Sequence, residues 1–193
     1  MNIKSEIEYN KKAMKAILGS DDVIFFDFEI GGTAAFCVYI DSITDKELLG
    51  LEVIAPLAKS DPKKSATSLS KAITLANVKT KDKISDATNE ILGGNAAIFI
   101  DGKKKCITVD LKKFEVRAIS EPPTGLAVRG PRNGFTESIK SNLSLVRRYL
   151  KSPDVKIETF EKGKYTKTSV APSPTAVTTP SADTLATLAS ALL

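Results

Sequence analysis

The hydrophobic pattern of this 193-residue chain begins with helical spacing and then changes to strand-like runs. Residues 2–18 place apolar side chains on one helical face, and Gly19 follows as a typical helix end. Two runs rich in Val, Ile and Phe come next, at 22–30 and 34–40. The Gly-Gly pair between them predicts a turn, so the two runs are expected to form a β-hairpin.

Helix signals follow the hairpin. Thr44 and Glu47 have the S/T-x-x-E spacing of a capping box, which predicts a helix through Leu48. A further helix over 51–59 has to accommodate Pro56, either in its first turns or at a kink. The first part of the chain therefore has the order helix, strand, strand, helix.

A polar stretch separates this part from a second one. Residues 61–80 contain few large side chains, so we interpret them as a linker, with a weak helix at 68–76 as the alternative. A helix is predicted at 85–92, where Gly93-Gly94 ends it. The runs 96–100 and 105–110 then form a second predicted hairpin, because Asp101-Gly102 is a strong turn signal.

The most distinctive stretch of the chain is RGPRNGFTESIKSNLSLVRRYL, residues 129–150. Its first residues contain too much Gly, Pro and Asn for regular structure, which predicts a loop. A helix follows, and its apolar face consists of Phe135, Ile139, Leu143, Val146 and Leu150. Asn142 falls within that face, so we expect a buried amide that hydrogen-bonds to nearby backbone.

Two arginines precede this helix in a stiff loop. Arg129 and Arg132 flank Gly130-Pro131, and Pro131 restricts the backbone on both sides of itself. Free N–H groups at the helix start and two guanidinium forks suit a carboxylate or a phosphate. The alternative is that both arginines hydrogen-bond to neighbouring loops; we expect Arg129 to be structural and Arg132 to face outward.

After the helix, Pro153 interrupts the pattern and two alternating runs, 155–160 and 165–170, predict a third hairpin around Lys162-Gly163. The whole pattern predicts a mixed α/β (α+β) fold with two small subdomains. Their expected bounds are 1–60 for the first subdomain, 61–80 for the linker, 81–171 for the second subdomain and 172–193 for a flexible tail rich in Pro, Thr, Ser and Ala.

Charge is distributed unevenly along the chain. Residues 1–60 contain six lysines and ten acidic residues, whereas the remainder contains 22 basic and 13 acidic residues. This asymmetry is compatible with a basic module that binds nucleic acid or a phosphorylated ligand. Nucleic acid is the weaker possibility, since few aromatic residues are interleaved with the basic ones.

Residue types restrict the chemistry. The chain has no histidine, which removes the commonest general base and the commonest zinc ligand. Cys37 and Cys106 lie in apolar, strand-like runs and are expected to be buried thiols of a reducing compartment. No apolar run approaches the 20 or so residues that cross a membrane. We therefore expect a soluble, non-catalytic chain without a cofactor or a metal.

The motifs resemble one known family, the GerA-type spore germination proteins, which are the A subunits of germinant receptors in endospore-forming bacteria. The family pattern is similar to E-P-x-x-E-x-x-x-R-G-P-R-x-G-F-T-E-S, a helix with N-x-x-L-x-R-R, and a G-x-x-T-K-T hairpin. The matching residues include Glu121, Arg129, Gly130, Pro131, Arg132, Gly134, Phe135, Thr136, Glu137, Asn142 and Arg147. The likeness covers roughly residues 10–170. Gly125 stands where the family often has a second glutamate.

The resemblance implies a function and a location. The chain would be the N-terminal soluble domain of a receptor A subunit, on the core side of the spore inner membrane. It would act in receptor assembly with B and C subunits and in signal transduction, with a small-molecule germinant as a candidate ligand. The candidate binding residues that it implies are Arg129, Gly130, Pro131, Arg132, Gly134, Phe135, Thr136, Glu137, Asn142 and Arg147.

Overall fold

A computed structural model of the chain describes residues 1–113, 138–162, 168–171 and 175–176. The helical elements are α1 (Ile7–Leu18), α2 (Lys46–Leu48), a π-helical turn (Leu49–Ile54), α3 (Ala55–Ala58), α4 (Ala66–Ser70), α5 (Ile84–Leu92) and α6 (Ile139–Tyr149). The strands are β1 (Val23–Ile30), β2 (Thr33–Ile40), β3 (Val78–Lys81), β4 (Ala96–Ile100), β5 (Cys106–Val109), β6 (Val155–Lys156), β7 (Phe160–Lys162), β8 (Thr168–Val170) and β9 (Thr175–Ala176). Mixed helices and strands of this kind confirm the predicted α+β class.

One five-stranded antiparallel sheet forms the centre, in the order β1-β2-β4-β5-β3. The first two predicted hairpins are both present in it, and they join edge to edge because β2 pairs with β4. The predicted boundary at 61–80 therefore does not divide the sheet. The supposed linker itself contributes α4 and most of β3, whose pairing with β5 no local pattern could indicate.

Each face of the sheet buries a separate apolar cluster. One cluster lies under the helical run from α2 to α4, with side chains such as Cys37, Leu57 and Ile98. The other lies under α1 and α5, with side chains such as Met14, Phe36 and Phe99. Alternate residues of β2 and β4 supply both clusters, which explains why these two strands are almost continuously apolar.

Residues before α1 are extended, although the sequence pattern predicts a helix from residue 2. Asn2 pairs with Lys83 beside the sheet, and the backbone N–H of Ile3 donates to the carbonyl of Asp82 at 2.8 Å. Asn10 is 1 % exposed and its amide both accepts from the N–H of Lys4 and donates to its carbonyl. These long-range bonds replace the first helical turn.

The helix after β2 begins one residue later than the capping box predicts. Asp45 is the N-cap, and its carboxylate accepts from the backbone N–H groups of Glu47 and Leu48. Thr44 is buried instead, and its hydroxyl donates to the carbonyl of Gly94 at 3.3 Å. The helix then widens into the π-helical turn, directly before Pro56, at the start of α3. Proline lacks the N–H that a regular α-helix needs at this point, which fits the change in hydrogen-bond register just before it. Pro56 thus lies in the first turn of α3, one of the two positions that the sequence predicts.

The last described segments form a smaller unit around α6. Ser138 caps α6, and Val146, Leu150, Val155 and Ile157 form a cluster separate from the two beneath the sheet. A third hairpin is present as β7 paired with β8, but its first strand begins at Phe160; residues 155–156, which the sequence pattern assigns to that strand, form β6 instead. β9 pairs with β6, although the sequence places residues 175–176 in a flexible tail. Among the described residues, no helix is both long enough and apolar enough to cross a membrane.

Candidate functional site

Eight of the ten candidate residues, Arg129, Gly130, Pro131, Arg132, Gly134, Phe135, Thr136 and Glu137, lie outside the described residues. The remaining two, Asn142 and Arg147, lie on α6. Asn142 is half-buried rather than buried, and its backbone N–H donates to the carbonyl of Ser138 at 3.1 Å. Arg147 is 1 % exposed, and it is the largest fully buried side chain described.

The Arg147 guanidinium forms a bidentate pair with Asp22, the residue before β1. Nε donates to Oδ2 of Asp22 at 2.7 Å, and Nη2 donates to Oδ1 at 2.7 Å. Nη2 also donates to the hydroxyl of Ser20 at 2.9 Å. The Ser20 hydroxyl in turn donates to Oδ1 of Asp22 at 2.6 Å. A fork of this geometry is available to arginine and not to lysine.

The segment between α1 and β1 also binds the residues that follow α6. Ile157 donates its N–H to the Ser20 hydroxyl at 2.8 Å and accepts at its carbonyl from the N–H of Asp21 at 3.0 Å. Thr159 donates its N–H to the carboxylate of Asp21 at 2.8 Å. Nζ of Lys156 donates to the carbonyl of Ile17 at 2.7 Å. We call these contacts, together with the Asp22–Arg147 pair, the polar seam.

The Asp22–Arg147 pair at the centre of the polar seam is buried, and its two charges depend on each other, whereas the contact between Thr159 and Asp21 is exposed. A buried ion pair is expensive to desolvate, and loss of one partner leaves the other charge without compensation. Partial burial lowers the pKa of Lys156, the nearby Arg147 lowers it further, and Asp154 opposes both effects. The seam therefore ties α6 and the residues after it to the corner before β1 through directional hydrogen bonds, beside the apolar cluster of Val146, Leu150, Val155 and Ile157.

A cleft lies near the N-terminal end of α6. Its volume is about 320 Å³, and it is lined by Asp41, Ser42, Thr44, Asp45, Lys46, Glu47, Lys113 and Lys140. The loop after β2 supplies the first four of these residues and α2 supplies Lys46 and Glu47, while Lys140 comes from α6. The N–H of Asp41 donates to the carbonyl of Asp22 at 2.9 Å, so the cleft and the polar seam adjoin the same end of the β1–β2 hairpin.

Carboxylates and lysines are paired within this cleft. Nζ of Lys46 lies 2.7 Å from Oδ1 of Asp41, and Nζ of Lys113 lies 3.0 Å from Oδ2 of Asp45. The bond from Lys113 lowers the pKa of Asp45 despite partial desolvation, and the bond from Asp41 raises the pKa of Lys46. The Ser42 hydroxyl, 4 % exposed, has no hydrogen-bond partner within the described part of the chain. The cleft thus presents balanced charge to a ligand rather than a basic surface.

The thiols of this chain are not placed for nucleophilic chemistry. Cys37 and Cys106 are both free and buried, as the sequence predicts. Burial raises the pKa of the Cys37 thiol well above its usual range and the pKa of Cys106 to about 12. Because the thiolate is the reactive form, neither would be a nucleophile near neutral pH. Within the described ranges, no group of three or more His, Cys, Asp or Glu side chains could hold a metal ion.

Asp22 and Ser20 are the residues of this site that sequence reasoning missed. Both belong to a short segment, Gly19–Asp22, which the pattern identifies only as the connection between a helix and a strand. The sequence pattern places Arg147 in the last turn of a helix, where basic residues are common because the helix dipole favours them. One signal was available: Arg147 lies four residues after Leu143 and three before Leu150, so it borders the apolar face of the helix.

Comparisons with known proteins connect this chain to bacterial sporulation. The sequence profile of the Bacillus/Clostridium GerA spore germination protein family matches residues 9–173. Spore germination protein KA of Bacillus subtilis is 33% identical over 164 residues, which cover 81% of this chain and 30% of that protein. Spore germination protein GerLA of Bacillus cereus is 30% identical over 166 residues, covering 82% of this chain and 34% of that protein.

A solved structure has a similar fold. It is the N-terminal domain of the A subunit of the Bacillus megaterium spore germinant receptor GerK3, with a TM-score of 0.66 and 25% sequence identity. The match covers 89% of this chain and 65% of that chain. The chain spans about a third of the length of the two Bacillus relatives above.

Proposed function

This chain belongs to the GerA family of spore germination proteins, and we propose that it acts as the N-terminal domain of a germinant receptor A subunit. Its role in this proposal is non-catalytic: it supports receptor assembly with the B and C subunits and takes part in signal transduction. The domain would lie on the core side of the spore inner membrane. Its likeness to the GerK3 A-subunit domain, over 89% of the chain, supports this role.

One structural observation carries the proposal, namely the buried Asp22–Arg147 pair. Arg147 belongs to the N-x-x-L-x-R-R part of the family pattern, and it fastens α6 to the corner before β1. The pair joins the unit around α6 to the central sheet. If the pair breaks, the two units can separate, and a change of this kind could carry a signal. The proposal has a more specific form, in which a germinant binds directly in the adjacent cleft.

The experiment uses spores that carry the full-length A subunit with Arg147→Lys, which keeps the charge and loses the bidentate fork. Arg148→Lys, at the exposed neighbouring position, is the matched control. Recovery of the B and C subunits with the A subunit reports assembly, and the germination rate reports signalling. We expect Arg147→Lys to reduce at least one of the two, while the control changes neither. Normal recovery and normal germination in Arg147→Lys spores would overturn the proposal.

Direct germinant binding is tested separately on this chain. Amino acids, sugars and nucleotides are titrated against isotope-labelled protein, and amide shifts are followed by NMR. Saturable shifts confined to Asp41–Glu47 and Lys113 would support binding in the cleft. Silence from all three classes would restrict the proposal to assembly and signalling. The alternative of a phosphorylated ligand is less favoured, because Lys46 and Lys113 are each paired with a carboxylate.

A further inference from the structure

The two edges of the central sheet differ in length and in chemistry. The edge strand β3 has four residues, two of which are lysines, and such short, basic edges discourage pairing with other chains. The edge strand β1 has eight residues, VIFFDFEI, with three phenylalanines. A long aromatic edge of this kind is a template for another strand.

The backbone register shows which groups of β1 face outward. The carbonyl of Asp22 accepts from the N–H of Asp41, so residues of the same parity, such as Ile24 and Phe26, bond toward β2. Phe25, Asp27 and Glu29 therefore direct their N–H and C=O groups to the outer edge. Among the described residues, no strand pairs with this edge.

The side chains on the two faces of β1 determine which kind of strand could pair with its outer edge. On one side, Phe26 is 45 % exposed and stacks on Phe28, with ring centroids 6.3 Å apart. On the other side, Asp27 and Glu29 are exposed, and Lys11 of α1 already pairs with Asp27 at 2.6 Å. The edge thus combines an apolar side with an acidic side.

We propose that the outer edge of β1 binds an extended strand of a partner protein in which apolar and basic side chains alternate. The partner's backbone would bond to Phe25, Asp27 and Glu29, its apolar side chains would cover Phe26, and its basic side chains would lie near the two carboxylates. Charge complementarity selects this occupant over a second copy of the chain. Antiparallel pairing of β1 with itself about Asp27 or Glu29 would place two identical acidic side chains opposite each other, which is unfavourable.

The probe is a fluorescein-labelled peptide of eight residues in which valine and lysine alternate. Matched peptides replace every lysine by glutamate, or keep the composition as a block of valines followed by a block of lysines. Fluorescence anisotropy measures affinity, and NMR shifts locate the site. We expect saturable binding of the alternating basic peptide with shifts centred on β1, and affinity lower by at least about tenfold for both matched peptides.

Variants of the chain complete the test. Asp27→Pro removes one outward N–H without affecting the bonds to β2, because proline is tolerated at that side of an edge strand. Asp27→Lys reverses the charge and breaks the ion pair with Lys11 while it keeps the outward N–H. Glu158→Lys is the control of the same charge change at an exposed position outside the sheet. Both Asp27 variants should lower the affinity for the alternating basic peptide by about tenfold, whereas the control should lower it by less than about twofold.

Several outcomes would overturn the proposal. They are the absence of saturable binding, equal binding of the glutamate peptide, and shifts that fall outside β1. An equal loss of affinity in Glu158→Lys would also do so, since it would show non-specific attraction. Sedimentation velocity provides the last check: self-association that Asp27→Pro abolishes would mean that a second copy, not a basic partner strand, occupies this edge.

Discussion

At the scale of single residues, the buried charge of Arg147 is compensated by a residue 125 positions earlier in the chain. Its cost of burial is offset only because the fork, the Asp22 carboxylate and the Ser20 hydroxyl satisfy one another. An exposed ion pair, such as Lys46 with Asp41, contributes far less, because solvent screens it and both side chains lose freedom.

The first prediction follows from that compensation. Arg147→Ala should lower the free energy of unfolding by about 3–5 kcal/mol, since it leaves the Asp22 carboxylate buried without its partner. Urea unfolding followed by circular dichroism provides the measurement. Lys151→Ala, at an exposed position just after α6, should change the free energy by less than about 0.5 kcal/mol.

The double variant Asp22→Leu, Arg147→Met separates the effect of losing the ion pair from the effect of the empty space that Arg147→Ala leaves. Apolar side chains of similar size can replace a buried ion pair at little cost, so this variant should recover much of the stability lost in Arg147→Ala. An Arg147→Ala variant that unfolds at the same urea concentration as the parent would mean that α6 is not held by the polar seam.

The second prediction concerns the pH dependence of the Asp45 carboxylate. Lys113 holds the pKa of Asp45 below its usual value, so the pair contributes stability above the unfolded pKa of about 3.9. That contribution is lost as the pH falls through the lower folded pKa. Asparagine caps a helix about as well as aspartate, so Asp45→Asn removes the charge and keeps the cap.

We therefore expect Asp45→Asn to be less stable than the parent at neutral pH by up to about 1 kcal/mol. The difference should disappear in acid, where both proteins carry a neutral side chain at this position. Urea unfolding at a series of pH values from about 7 to about 2 measures it. A difference that stays constant over this range would assign the effect to the cap rather than to the charge.

At the scale of elements, the helical run from α2 to α3 shows how a local irregularity is accommodated. The N–H of Ala55 donates to the carbonyl of Gly50, five residues earlier, directly before Pro56. Gly50 is exposed and has open space where a Cβ would lie. Its lack of a side chain is thus not required by any contact there.

The third prediction is that Gly50→Ala raises the free energy of unfolding by about 0.5–1 kcal/mol, because alanine loses less backbone entropy in a helix. Gly94→Ala is the contrasting variant. Its φ is +94° and a Cβ would lie 3.3 Å from the carbonyl oxygen of Ile43, so it should destabilise the protein. Thermal unfolding of both variants decides; destabilisation by Gly50→Ala would show that the π-helical turn depends on glycine.

At the scale of the whole molecule, apolar burial is concentrated under the sheet. Counted over the described residues alone, the two clusters on its faces contain 16 and 15 buried residues, and the cluster around α6 contains four. Among the described residues, the polar seam joins the unit that contains α6 to the corner before β1. Units with few buried apolar contacts open at lower free energy than the core around them.

The fourth prediction is that the amides of α6 exchange with solvent faster than those of β2 and β4 under native conditions. Hydrogen exchange followed by NMR should separate the two groups, and Arg147→Lys should increase the exchange of α6 while leaving β4 unchanged. Equal protection of α6 and β4 would mean that the described parts of the chain unfold as one cooperative unit.

The amino-acid sequence by itself determined most of the elements and the family. Helical spacing predicted α5 and α6, and the Gly-Gly and Asp-Gly turns predicted both hairpins of the sheet. These signals are local: turn chemistry and side-chain periodicity act within a few residues. The RGPR motif and the α6 pattern were specific enough to indicate the GerA family, which the match over residues 9–173 confirms.

Tertiary structure alone decided how those elements join. The pairing of β2 with β4, the insertion of β3 beside β5 and the extended conformation of residues 1–6 all depend on backbone bonds between distant residues. Asp22 and Arg147 look like ordinary surface charges in the sequence. They become a buried pair because folding places the corner before β1 against α6, and a guanidinium removed from water there requires a carboxylate.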